Sequence, residues 1–141
     1  MVALLAAEKE LHVICDGTLA EVHQAMNRAT DFLRSRAMPR EHCDDLLLAL
    51  SEALSNISRH GYHQQIGTIS FTITVGQDAI HCCVTDTGCM FDPSEQGLNA
   101  PEPDRLQEGG YGWFIIRSLA AQIDYGRADG LNRLYFSIPT A

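Results

Sequence analysis

The chain has 141 residues, 45% of them hydrophobic, which by size is one domain, residues 1–141, able to bury an ordinary core. Its formal charge of -8 argues against nonspecific binding to nucleic acid or an anionic membrane, since both need a basic face. Cys15, Cys43, Cys82, Cys83 and Cys89 are odd in number and lack CxxC spacing, and the leading MVALLAAEKE has no basic n-region and an apolar run ending at Glu8. A reduced, cytoplasmic protein without a targeting or membrane segment is expected.

In chain order, LHVIC alternates as a short strand, and Asp16-Gly17-Thr18 makes a turn that can cap a helix over about 19–36, with Val22, Ala25, Met26, Ala29, Phe32 and Leu33 on its inner face. Met38-Pro39 separates this from a second helix over about 40–60, which Gly61 stops. Its core stripe is Leu46, Leu50, Ala53, Leu54 and Ile57, while Asp45, Ala49, Glu52, Asn56 and Arg59 form a second stripe that reads as a sheltered polar groove. The sequon Asn56-Ile57-Ser58 falls within this helix and is read as accidental.

The period then drops to 2. GTISFTITV and AIHCCVTD, joined by Gly76-Gln77-Asp78, place Ile69, Phe71, Ile73, Val75, Ile80, Cys82 and Val84 at alternate positions on one face, with Thr68, Ser70, Thr72 and Thr74 on the other. Such alternation fits a largely antiparallel sheet with one face covered by helices. Residues 92–110 are rich in Pro, Gly and acids without a sustained period, as functional or mobile loops are. A helix over about 111–121 and two strands, IDYGRA and LNRLYFSI, complete the chain, with Asp129-Gly130 as the hairpin signal. The expected fold class is α+β: a two-layer sandwich of a mixed, mainly antiparallel sheet under about three helices.

Three constellations carry chemistry. Glu52 and Asn56 lie one helical turn apart; alone they read as a solvated acid and a bridging amide, yet an amide oxygen suits Mg²⁺ already held by phosphates, and a carboxylate can take a proton from a nucleophile. Asp86-x-Gly88 after a strand is commonly a turn, but an ionised carboxylate accepts hydrogen bonds only and can receive an exocyclic amine such as that of adenine, with Gly88 admitting a flat base. Gly109-Gly110-Tyr111-Gly112 precedes an apolar helix, where glycines either relieve a turn or let backbone N–H groups wrap an anion. No GxxxxGK[ST] loop is present, and the glycines follow a long loop, so P-loop and Rossmann readings fail.

The order of these three, carried by ALSEALSNISRHGY, DTGCMFDP and GGYGWFIIRSLAAQIDY, resembles the N, G1 and G2 boxes of the GHKL (Bergerat-fold) ATP-binding superfamily, and within it the bacterial anti-sigma-factor serine kinases. The resemblance implies that Glu52 is the catalytic base and Asn56 the Mg²⁺ ligand. It makes Asp86 and Gly88 the adenine site, and Gly109, Gly110, Tyr111 and Gly112 the phosphate-binding turn. Residues 92–110 become an ATP lid, with Arg105 supplying a γ-phosphate contact. Trp113 departs from the small or aliphatic residue usual after the last glycine. The function implied is a homodimeric, ATP- and Mg²⁺-dependent serine kinase and anti-sigma factor, which phosphorylates a STAS-domain anti-anti-sigma protein and sequesters a sigma factor.

The alternative is a nucleotide-dependent binding switch of the same fold without effective kinase activity. A split histidine kinase ranks below both, because no dimerisation helix pair is present and His23 lacks an acidic neighbour following it. Gyrase-like ATPases would need a further domain. Zinc at His60-x2-His63 lacks a second ligand pair. Cys82 and Cys83 point to opposite sheet faces and read as packing residues, and Trp113 and Phe114 as core.

Overall fold

The computed structural model describes residues 9–36, 38–58, 67–88 and 110–141. Strand β1 (Glu10–Asp16) is followed by helices α1 (Leu19–Arg34) and α2 (Arg40–Asn56), strands β2 (Thr68–Val75) and β3 (Ala79–Asp86), helix α3 (Gly110–Leu119), and strands β4 (Gln122–Ala128) and β5 (Leu131–Pro139). The strands make one sheet in the order β1-β2-β3-β5-β4. Every described pairing is antiparallel rather than mixed. β3 and β4 do run in the same direction, but β5 lies between them and separates what would have been the parallel pair.

The local reasons are those the sequence offers. The Thr18 side chain caps α1 by accepting from the Glu21 N–H at 3.3 Å, which satisfies one of the donors a helix start leaves open. Asp129 and Gly130 both adopt positive φ, 54° and 78°, the backbone twist that closes a two-residue hairpin between right-twisted strands. Ile69, Phe71, Ile73, Ile80, Cys82, Val84, Leu134, Phe136 and Ile138 line the inner sheet face, against Val22, Ala25, Ala29 and Leu33 of α1 and Leu46, Leu50, Ala53 and Leu54 of α2. Each buried Val, Leu, Ile or Phe among them contributes roughly 1.5–3 kcal/mol. Burial also pushes the Cys82 thiol well above its ordinary range, which keeps it an inert packing residue. Trp113 joins the same core.

Helix ends differ from expectation by a few residues. α1 stops at Arg34 rather than 36, because Ser35 turns off the helix and its hydroxyl donates to the Phe32 carbonyl at 2.7 Å. α3 begins at Gly110 and ends at Leu119 rather than 121. Ala120 N–H still donates to Ile116, but Ala121 N–H donates to Ser137 O at 2.8 Å; pairing with β5 takes the chain out of the helix. α2 ends at Asn56, followed by a wider π-type turn at Ile57 and Ser58; the expected continuation to residue 60 and the stop at Gly61 lie outside the described residues. Ala49, placed by its spacing on a polar groove, is fully buried. α3 packs against α2, and Asp45 and Glu52 on the same stripe are half-buried, as a partly sheltered groove requires.

One end of the sandwich collects the chemistry. The Ser58 hydroxyl donates to Gly17 O at 2.6 Å and Gly17 N–H to Gly67 O at 2.9 Å. These bonds hold the C-terminal turn of α2 where β1 ends and β2 begins. β3 ends and β5 begins at that same edge, since Asp16 pairs with Thr68, Ile69 with Asp86, and Asp86 with Asn132.

Candidate functional site

At this end Gly112, in the first turn of α3, is set directly on the side chains of α2. A Cβ built there would stand 2.9 Å from Glu52 Oε2 and 3.1 Å from Asn56 Nδ2, closer than side-chain carbons normally approach. Glu52 and Asn56, one turn apart on α2, therefore converge on the point where α3 starts. The first N–H groups of a helix have no partner within it and carry its positive end, so a carboxylate and an amide stand beside the first turn of α3.

Asn56 is 7% exposed, yet neither Oδ1 nor Nδ2 has a hydrogen-bond partner among the described residues. A buried amide left unpaired at both ends costs roughly 1–3 kcal/mol per group. Native structures keep few such groups, and each calls for a water, an ion or a functional role to explain it.

The second half of the site surrounds Asp86, which is 5% exposed. Its Oδ1 accepts from the Gly88 N–H at 2.7 Å and from Asn132 Nδ2 at 3.1 Å. Burial pushes its carboxyl above the ordinary value, opposed by the hydrogen bonds from Asn132 and Gly88 and by the charge of Arg127. Asn132 in turn accepts at Oδ1 from Tyr125 OH at 2.9 Å and from an Arg127 N–H at 2.7 Å. Gly88 O receives both Asn132 Nδ2 at 3.2 Å and Arg127 at 3.0 Å. A buried carboxylate held, among the described residues, through Oδ1 alone keeps its other oxygen as an acceptor for a donor.

Of the residues singled out in the sequence, Glu52, Asn56 and Gly112 meet directly, and Asp86 and Gly88 form one turn at the same end of the sheet. Gly110 and Tyr111 open α3. Gly109, Arg105, the remainder of the 92–110 segment, Arg59, His60, His63 and Cys89 lie outside the described residues. Sequence reading missed Asn132, Arg127 and Tyr125. The signal for Asn132 was present: it shares strand parity with Leu134, Phe136 and Ile138, a polar residue at a core position. Arg127 had no such mark, because its role arises from the β4–β5 pairing.

A five-stranded antiparallel sheet with three helices, in this order, is the α+β architecture of the Bergerat-type ATPase fold. A family model described as the histidine kinase-like ATPase domain matches residues 15–138, and the chain belongs to that family. Among curated relatives, the serine-protein kinase RsbW of Oceanobacillus iheyensis is 32% identical over 98 residues, covering 64% of this chain and 62% of that protein. Serine-protein kinase RsbW of Bacillus cereus is 27% identical over 137 residues, covering 92% of this chain and 79% of that one. The chain thus spans under two thirds of the first relative's length. Among solved structures, the RsbU and RsbW domains of a Mycobacterium tuberculosis protein superpose with a TM-score of 0.67 at 16% identity, over 92% of this chain and 32% of that one. A blue-light activated histidine kinase of Erythrobacter litoralis superposes with a TM-score of 0.56 at 20% identity, over 73% and 32% of the two chains. These structural likenesses establish the fold. No described helix is long and apolar enough to cross a membrane.

Proposed function

We propose that the chain is an ATP-dependent protein-serine kinase and anti-sigma factor, which phosphorylates a STAS-domain anti-anti-sigma partner and, as a homodimer, sequesters a sigma factor. The observation that carries this reading is the convergence of Glu52 and the unpaired Asn56 amide on Gly112. It is supported by family membership and by relatives named as serine-protein kinases.

The residues present fit a magnesium ion carried by phosphates. Asn56 offers a buried amide oxygen, the bare Gly112 leaves room beside it, and no described cluster of three His, Cys, Asp or Glu groups could hold a metal unaided. Mg²⁺ normally relies on phosphate oxygens and water for most of its coordination, and when bound it neutralises charge developing on the phosphates. Asn56 would hold that ion and the N–H groups opening α3 would orient the phosphates. Glu52 would accept the proton of a serine hydroxyl, and Asp86 would receive the exocyclic amine of adenine. Arg105, Gly109 and the 92–110 lid belong to the same proposal.

The direct test is incubation of the protein with labelled ATP, Mg²⁺ and a STAS-domain protein from the same organism. Label appearing on a partner serine is expected. Mg²⁺-ATP binding without transfer to any such partner would replace this reading with the nucleotide-dependent binding switch.

The adenine assignment makes a separate prediction. Because its carboxyl is raised in the folded chain, Asp86 favours the fold when protonated; that contribution is present below the unfolded value and is lost as pH rises through the folded one. At pH 7 the ionised group is therefore a cost. In Asp86→Asn the amide oxygen can still accept from Gly88 and Asn132, while its NH₂ meets the adenine amine donor to donor. The ligand-free variant should melt at or above the wild-type temperature and bind ATP about tenfold or more weakly, as an unpaired buried group implies. Calorimetric titration giving unchanged affinity would remove Asp86 from the site.

A further inference from the structure

Asn132 is an amide between two ions. Its carbonyl oxygen accepts from Arg127 at 2.7 Å and its NH₂ donates to Asp86 Oδ1 at 3.1 Å. A guanidinium only donates and a carboxylate only accepts, so each ion independently dictates the same orientation of the amide. Tyr125 OH at 2.9 Å reinforces it. The result is a dipole aligned head to tail between a cation on edge strand β4 and an anion at the end of β3. Arg127 also reaches over to Gly88 O at 3.0 Å, tying the D-x-G turn to the same edge strand.

We infer that Arg127 is a positioning residue which, through the Asn132 amide, fixes the Asp86–Gly88 turn and leaves a single carboxylate oxygen, Oδ2, to read the amine of a purine base. This deepens the adenine reading above and rests on it. Oδ1 is occupied by two donors that hold it in place, whereas Oδ2 has no hydrogen bond among the described residues. A carboxylate with both oxygens free could rotate to meet either a donor alone or a pair of donors. With Oδ1 engaged it presents one acceptor in one direction. Among the described residues, the groups acting on Asp86 are Asn132 from β5, the charge of Arg127 from β4 and the N–H of Gly88 in its own turn. The charge of Arg127 adds to the hydrogen bonds from Asn132 and Gly88 in lowering the Asp86 carboxyl against the upward push of burial.

The test uses the wild-type chain, Arg127→Leu and Arg127→Lys. In each, the Asp86 carboxyl carbon is titrated by NMR without nucleotide, and ATP and GTP affinities are measured across pH 5–8. Asp86 in Arg127→Leu should titrate at higher pH than in wild type, because a lowering charge is gone. ATP binding near pH 7 should weaken about 2- to 10-fold, the worth of one hydrogen bond. Its loss on acidification should begin at higher pH, and the preference for ATP over GTP should narrow. Arg127→Lys keeps the charge without the fork and should restore the titration more than the base preference. An unchanged Asp86 titration and pH profile in folded Arg127→Leu overturns the inference. A shifted titration in a protein that binds no adenine nucleotide overturns the functional reading, and the base-reading role with it. Equal weakening at every pH, with Asp86 unmoved, would reduce Arg127 to a structural prop and also overturns it.

Discussion

Glu52→Gln is expected to bind Mg²⁺-ATP and the STAS partner as wild type does, and to transfer phosphate about 10²- to 10⁴-fold more slowly. The substitution keeps the shape of the side chain beside Gly112 and removes only its capacity to take a proton, whose usual worth is a factor of that size. Asn56→Ala should fail in a different way. It deletes the buried, unpaired amide, so nucleotide binding should weaken and lose its dependence on Mg²⁺. Single-turnover phosphorylation together with Mg²⁺-dependent titrations of both variants separates the two roles. A wild-type transfer rate in Glu52→Gln would show that Glu52 is not the base.

Gly112→Ala should give a folded protein with little activity. Inside a helix, alanine is favoured over glycine by roughly 0.5–1 kcal/mol, so propensity alone would make the variant more stable. The added methyl, however, would sit 2.9 Å from Glu52 Oε2 and 3.1 Å from Asn56 Nδ2. Glu52 has a long, flexible side chain and can swing aside at small energetic cost. Asn56 is short and buried and has less room. If Glu52 is the base proposed above, moving it by about 1 Å is enough to cost on the order of 10²-fold in rate, whereas the fold loses only a local contact. Transfer should therefore drop by about that factor with a melting temperature within a few degrees of wild type. A fully active Gly112→Ala protein would mean that Glu52 and Asn56 do not work where the structure places them.

Much of this arrangement was legible in the chain itself. Alternation in TISFTITV and AIHCCVTD fixed which residues face the helices, and the switch to a 3.6 period fixed the helices, because burial of one face leaves a periodic trace in the residue types. The Asp129-Gly130 turn was equally readable, since few residue pairs tolerate two successive positive φ values. Helix ends were less legible. α3 gives up its last residues because Ala121 finds a partner in β5, and no local signal announces a hydrogen bond to a strand read later.

The sequence by itself determined the kinds of groups available and their spacing: a carboxylate and an amide one turn apart on α2, an acidic turn after β3, and glycines opening α3. Local chemistry and periodicity suffice for those, because they depend on residues within a few positions of one another. Only the tertiary structure decided that Gly112 stands against Glu52 and Asn56, that Ala49 is covered, and that Arg127 acts on Asp86 through Asn132. The approach of Gly112 to Glu52 and Asn56 and the Asn132–Asp86 bond join residues 46 to 60 positions apart, set by the packing of α3 on α2 and by the insertion of β5 between β3 and β4. Hydrogen-bond direction and close approach depend on where atoms lie in space, and that is fixed only when the layers pack.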